Sequence, residues 1–74
     1  MQTVRDFVSR LWYTENMMII PYKHEPITYP TLDNFRQISI YEGINHTLKD
    51  NEILNKWVKS YGVIDSVLII EVEG

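Results

Sequence analysis

The stretch Val67–Glu73 constrains the fold most strongly, because four β-prone apolar residues run directly into an alternation of charged and apolar side chains. A run of this kind predicts a strand that is buried on both faces at its start and partly solvated at its end. We therefore expect this strand to be central in a sheet, with the remaining elements arranged around it.

The segment Asp50–Gly62 precedes that strand and has the spacing of an amphipathic helix. Asp50 is a suitable N-cap, and Gly62 is a natural left-handed terminator. The apolar stripe of this predicted helix consists of Ile53, Leu54, Trp57, Val58 and Tyr61.

A second, shorter helix of about ten residues is predicted near the N-terminus, where Thr3 and Asp6 resemble a capping box. Its stripe contains Val4, Phe7, Val8, Leu11 and Trp12. Trp12 and Trp57 are both expected in the core, since each falls on a helix stripe. A turn over residues 13–16 follows, and then Met17–Ile20, a short strand that ends at Pro21 and that we place at the edge of the sheet.

The prolines of the chain, Pro21, Pro26 and Pro30, fall within one segment of ten residues. Because proline removes amide donors and favours extended backbone, we predict a loop from Pro21 to Arg36. A connection this long in so small a domain is often functional or mobile. The alternative is an inert excursion that only covers the core.

Gln37–Gly43 alternates apolar and polar side chains and predicts a half-buried strand, followed by a linker over residues 44–49. The elements follow the order α-β-β-α-β. The predicted architecture is thus a single α+β domain over residues 1–74, with a small sheet of about three strands and both helices packed on one face.

Composition excludes several classes of protein. The 74 residues contain no cysteine, so disulfides and thiolate metal sites are excluded, which fits a reducing cytoplasm. A net charge of -3 argues against direct nucleic-acid binding, which needs a basic face. Met1 is followed by polar Gln2-Thr3, which predicts no signal peptide, and the apolar runs are too short to span a bilayer. We expect a soluble, cytoplasmic protein.

No motif in the sequence points to catalysis, a cofactor or a metal. His24 and Glu25 could supply ligands, but no further ligand stands at a regular spacing. No serine lies in a nucleophile elbow, and no glycine-rich phosphate loop is present. We therefore predict a non-enzymatic protein without a cofactor.

Aromatic residues on proline-bounded loops and open strand faces are the side chains that commonly anchor protein interfaces. The alternative is that these rings only cap the rim of a small core. With neighbouring charged residues, the predicted partner-binding set is Tyr22, His24, Glu25, Tyr29, Phe35, Tyr41 and Glu42.

Two parts of the chain resemble short uncharacterised proteins of phages and mobile elements of Gram-positive bacteria. These parts are Thr3–Phe7, which opens a helix, and Tyr41–Gly43 with the short helix ending in Val58 and the strand that follows Asp65. The resemblance implies a stoichiometric binder of host machinery, of the kind to which anti-CRISPR inhibitors belong. It implies no particular site residues.

Our leading hypothesis is a small acidic inhibitor that occludes the surface of a host protein, such as a CRISPR or other defence nuclease. The alternative is a structural protein that forms a homodimer through an edge strand, for which Met17–Ile20 is the predicted edge.

Overall fold

The computed structural model describes residues 1–12, 15–49 and 51–73. They form two short helices, two 3₁₀ turns and four strands. In chain order these are α1 (Val4–Val8), β1 (Asn16–Pro21), α2 (Leu32–Arg36), β2 (Tyr41–Ile44), the 3₁₀ turns Asn45–Leu48 and Glu52–Asn55, β3 (Trp57–Ile64) and β4 (Val67–Glu73). The α+β class is thereby confirmed, although the sheet contains four strands where about three were predicted.

The final strand lies inside the sheet, as its apolar run predicted. The strand order is β2-β1-β4-β3, so β4 has a neighbour on each side. It pairs in parallel with β1, where Met18 lies opposite Ile69, and antiparallel with β3. The sheet is therefore mixed, with its two most apolar strands in the middle.

Met17–Ile20 is the other internal strand, and its predicted place at the edge of the sheet is wrong. Each of these four residues is at most 1% exposed. A strand with four consecutive buried residues must be covered on both faces. β2 and β4 pair with it on either side, α1 and the 3₁₀ turns cover one face, and α2 covers the other. Pro21 lies at its end, where it faces Val72 of β4.

The helix predicted over residues 50–62 is wrong. Of the residues described in that range, only Glu52–Asn55 is helical, as a 3₁₀ turn capped by the Asn51 side chain, which accepts a hydrogen bond from the Ile53 amide at 2.9 Å. The predicted cap Asp50 lies outside the described residues, as do Tyr13 and Thr14 of the predicted turn. Residues 57–64 are instead rich in β-branched and aromatic side chains, and pairing with β4 decides their conformation.

A two-residue turn joins β3 to β4. Asp65 and Ser66 have φ angles of 49° and 66°, and Ile64 pairs with Val67 on either side of them. Two successive left-handed residues match the twist of an antiparallel hairpin, and they are typical of a type I′ turn. This local turn favours the pairing of β3 with β4 over a helix in the same residues.

The first helix begins where predicted and ends early. The Thr3 hydroxyl accepts a hydrogen bond from the Asp6 amide at 3.3 Å, which confirms the cap. After Val8 the Asn45 side-chain amide donates to the Val8 carbonyl at 3.2 Å and the Trp12 carbonyl at 3.1 Å. These bonds satisfy carbonyls that a longer helix would have paired internally.

The prediction that both tryptophans lie in the core is also wrong. Trp12 is 81% exposed because α1 stops before it, and Trp57 is 45% exposed because it lies on edge strand β3 and not on a helix stripe.

Cores lie on both faces of the sheet, whereas the sequence predicted helices on one face only. The first face, covered by α1 and the two 3₁₀ turns, contains Val4, Val8, Met17, Ile19, Leu48, Leu54, Leu68, Ile70 and Val72. The second face contains Met18, Ile20 and Ile69, which pack against Leu32, Phe35 and Ile38 in and beside α2.

Helix α2 interrupts the segment predicted to be a loop. The Thr31 hydroxyl caps it by accepting a hydrogen bond from the Asn34 amide at 3.3 Å. The strand predicted over 37–43 is shorter and starts later, at Tyr41, because Ile38 turns away to pack on the second face. Among the described residues, no helix has the length and apolar character needed to cross a membrane.

Candidate functional site

A group of polar side chains occupies the end of the second face that α2 leaves uncovered. We call it the Glu71 cluster and define it by His24, Ser60 and Glu71. The His24 imidazole Nε2 lies 3.1 Å from Glu71 Oε2, and the Ser60 hydroxyl donates to Glu71 Oε1. One carboxylate therefore joins the loop after β1 to both strands of the β3–β4 hairpin.

An irregularity in β3 brings these side chains together. The β3–β4 register shifts between Val58 and Ser60, so Lys59 is an extra residue opposite Glu71. A bulge of this kind locally increases strand twist and redirects side chains. Ser60 bonds Glu71, while Lys59 Nζ lies 3.4 Å from Glu73 Oε2.

Both ring nitrogens of His24 face oxygen acceptors. Nδ1 lies 2.8 Å from the Glu25 carbonyl oxygen, and Nε2 faces the Glu71 carboxylate. A neutral imidazole has only one N–H, whereas the imidazolium can donate to both acceptors. The bond to the Glu25 carbonyl is the largest cause that raises the pKa of His24, and Glu71 raises it further, while partial burial opposes them.

The order of contacts in the Glu71 cluster determines what chemistry it can perform. In a hydrolytic triad the base contacts the nucleophilic hydroxyl, and the carboxylate orients the base from behind. Here the carboxylate lies between the serine and the histidine, so His24 is not placed to accept the Ser60 proton. The geometry instead suits a latch that fixes the loop after β1 on the sheet. Within the described ranges, no group of three or more His, Asp or Glu side chains could hold a metal ion.

Next to this latch, the sheet ends in a partly exposed aromatic surface. We call it the aromatic end and define it by Tyr22, Trp57, Lys59 and Glu73. Lys59 Nζ lies 5.4 Å from the centre of the Tyr22 ring, within the range of a cation–π contact. Trp57 lies opposite Glu73 in the β3–β4 register. Tyr22 is 46% exposed and Trp57 is 45% exposed, so nearly half of each side chain is accessible to a partner.

The predicted partner-binding residues separate in the structure. Tyr22 belongs to the aromatic end, His24 belongs to the Glu71 cluster, and Glu25 is exposed beside it. Tyr29 is 71% exposed, and its carbonyl accepts a hydrogen bond from the Asn34 side chain at 2.6 Å.

The other three predicted partner-binding residues make contacts within the domain. Phe35 is half-buried in the second-face core. Glu42 accepts two bonds from Arg36 Nε, at 2.8 and 2.9 Å, and this guanidinium lowers the pKa of Glu42. Tyr41 packs on the opposite face, where its hydroxyl donates to the Ile44 carbonyl and contacts the Thr47 hydroxyl.

Sequence reasoning missed Trp57, Lys59, Ser60 and Glu71. Three of them were assigned to a helix, which hid their alternation across a strand. Glu71 carried a usable signal, because a carboxylate beside a run of apolar β residues needs a polar partner when its strand is internal.

Comparison with known proteins gives no relative from which a role could be transferred. The chain matches no protein-family model, no curated protein and no solved structure.

Proposed function

We propose that this protein is a non-enzymatic binding protein that acts by occupying the surface of a partner protein through its aromatic end. The observation that carries the proposal is that Tyr22 and Trp57, each nearly half exposed, lie at one end of the sheet, where Lys59 contacts the Tyr22 ring and Glu73 pairs with Lys59 and lies opposite Trp57.

The aromatic end has the character of an interface anchor. Tyrosine and tryptophan supply large contact areas and lose little conformational entropy on binding, which is why they dominate binding hot spots. The Tyr22 ring is partly preorganised, because Lys59 contacts it by a cation–π interaction and the Glu71 cluster fixes the loop that carries it. Preorganisation lowers the entropic cost of association.

For the partner we propose a protein of a bacterial host cytoplasm, with a defence nuclease such as a CRISPR effector as the leading class. The resemblance to phage and mobile-element proteins implies that class. The net charge of -3 also supports it, because an acidic binder complements the basic groove of a nuclease.

The test is affinity capture from a bacterial lysate, followed by measurement of the purified complex with the wild type and with Tyr22→Ala/Trp57→Ala. We expect a stoichiometric partner whose affinity falls by about 30-fold or more in the double variant, the loss typical of a single strong hot spot. Trp12→Ala is the matched control, since Trp12 is an equally large and more exposed ring outside the aromatic end. It should leave the affinity unchanged.

Two outcomes contradict the proposal. One is that the wild type retains no stoichiometric partner. The other is that the double variant and Trp12→Ala bind the captured partner equally well.

A further inference from the structure

The outer edge of β3 is exposed along most of its length. At its start the edge is covered by the N-terminal residues, through hydrogen bonds of 2.8 Å from the Val4 amide to the Lys56 carbonyl and from the Val58 amide to the Gln2 carbonyl. The sheet order places β3 at the end of the sheet, and within the described part of the chain no strand pairs with its outer side beyond Val58.

Beyond the bulge at Lys59, this edge lacks the features that usually prevent edge pairing. Natural edge strands are blunted by short length, proline or inward-pointing charges. β3 has eight residues without proline, and it presents Tyr61 and Val63, which are 66% and 68% exposed. The bulge at Lys59 hinders pairing only at the start of β3, next to the stretch that the N-terminal residues already cover.

The hairpin register determines which backbone groups of β3 point outward. Ile64 and Val67 flank a two-residue turn and therefore form a hydrogen-bonded pair. Because antiparallel pairing alternates, the N–H and C=O groups of Val63 and Tyr61 point away from β4. They are available to another strand.

We propose that two copies of this chain pair antiparallel through their β3 edges, about a twofold axis at Gly62. In this register Tyr61 of each copy lies opposite Val63 of the other, and the outward backbone groups of both residues hydrogen bond across the axis. Aromatic residues opposite β-branched residues are favourable cross-strand pairs. The interface joins the two sheets into one continuous sheet of eight strands.

The strand is complementary to itself in this register, which favours a second copy over an unrelated peptide. Lys59 of one copy comes to the level of the other copy's Asp65, in the turn after β3, so charges of opposite sign, and none of like sign, lie near both ends of the pairing. A Cβ at Gly62 meets no atom within 4 Å, so the axis position is open and unobstructed. Because the N-terminal residues already pair with Lys56 and Val58, the second copy can pair only with the part of β3 beyond them.

This proposal goes beyond the proposed function, because its backbone pairing uses the outer edge at Tyr61–Val63, and it shares with the aromatic end only Lys59. Tyr61 is also held in position by a contact within its own chain. Its ring lies 5.0 Å from that of Phe7, centre to centre, which fixes it on the α1 side of the sheet. An incoming Val63 therefore meets an ordered ring.

Sedimentation equilibrium up to roughly 1 mM, a concentration that detects even weak association, tests the pairing. We expect the wild type to dimerise and Val63→Pro to remain monomeric, because proline removes the outward amide while sparing the bonds to β4. Val63→Thr is the matched control, since it keeps the amide and the β-branched shape, and it should still dimerise. A wild type that stays monomeric, or a Val63→Pro variant that dimerises as tightly, overturns the proposal.

Gly62→Cys tests the register without relying on proline. The chain has no other cysteine, and two thiols opposite each other on the axis lie close enough to form a disulfide. Under mild oxidation we expect crosslinking at least about 100-fold faster than for Tyr29→Cys, since pairing raises the effective thiol concentration from micromolar toward millimolar. Equal rates for the two variants overturn the proposal.

Discussion

The two faces of the sheet are closed by different physical means. On the first face α1 and the 3₁₀ turns bury nine apolar residues. The second face has a small apolar core under α2, and its remaining end is closed by the Glu71 cluster. Apolar packing is non-directional and sets stability, whereas hydrogen bonds fix the positions of particular groups. The first face thus stabilises the domain, and the second positions the aromatic end.

The largest expected effect comes from opening the first face. Ile70 is completely buried in its centre. Ile70→Ala should lower the free energy of unfolding by about 2 to 5 kcal/mol, through lost burial and the cavity left behind. That loss is comparable with the whole stability of so small a domain, about 3 to 5 kcal/mol. Urea denaturation followed by circular dichroism measures it.

Ile40→Ala is the control for the first face, because the same side chain is there 45% exposed. It should change stability by less than about 1 kcal/mol. Equal losses for the two variants would show that the first-face core does not dominate the stability of the domain.

A smaller effect is expected from breaking the latch on the second face. Glu71→Ala leaves the Ser60 hydroxyl and His24 without their shared acceptor, which should cost about 1 to 3 kcal/mol. The change should be local, so hydrogen exchange should accelerate in residues 22–30 while α1 stays protected.

Glu73→Ala removes a more exposed carboxylate from the same strand and is the control for the latch. Its ion pair with Lys59 should contribute less than about 1 kcal/mol. If Glu73→Ala accelerates exchange in residues 22–30 as much as Glu71→Ala, the latch does not depend on Glu71.

The smallest effect is a pH dependence of the same latch. The pKa of His24 is raised in the folded protein from its ordinary value of 6.5, so its contribution to stability is fully present below that value. The contribution is lost as pH rises through the folded pKa. The stability difference between the wild type and His24→Gln should therefore shrink as the pH rises above 6.5 in urea titrations. A difference that stays constant with pH contradicts a charged His24 in the latch.

The wrongly predicted second helix has its cause in residues 53–61. Their apolar side chains have helical spacing, yet they belong to a 3₁₀ turn and to β3. Local periodicity cannot distinguish one helix from two elements that happen to share its spacing. The Asp65-Ser66 turn was the informative local signal, because it is followed at once by the best-specified strand. Thr31, followed by Leu32-Asp33-Asn34, was likewise an available cap signal for α2.

Of the candidate site, sequence reasoning found Tyr22 and His24, because aromatic and titratable residues in a proline-bounded segment stand out. Their partners could not be predicted. Glu71 lies 47 residues from His24 in the chain, and Lys59 reaches Tyr22 only across the sheet. Both contacts depend on strand order and on the bulge in β3, which are long-range properties.

The sequence alone determined the final strand, its internal position and the cap of the first helix, since each depends on neighbouring residues and on burial over a few positions. Tertiary structure alone decided the fourth strand, the coverage of both faces and the meeting of His24 with Glu71. These features depend on which segments pair over long separations, and the free energy of that pairing outweighs the modest helical preference of residues 57–62. The strand Val67–Glu73 shows both contributions. Its residues alone indicated that it is buried, whereas the strands that pair with it were decided by the tertiary structure.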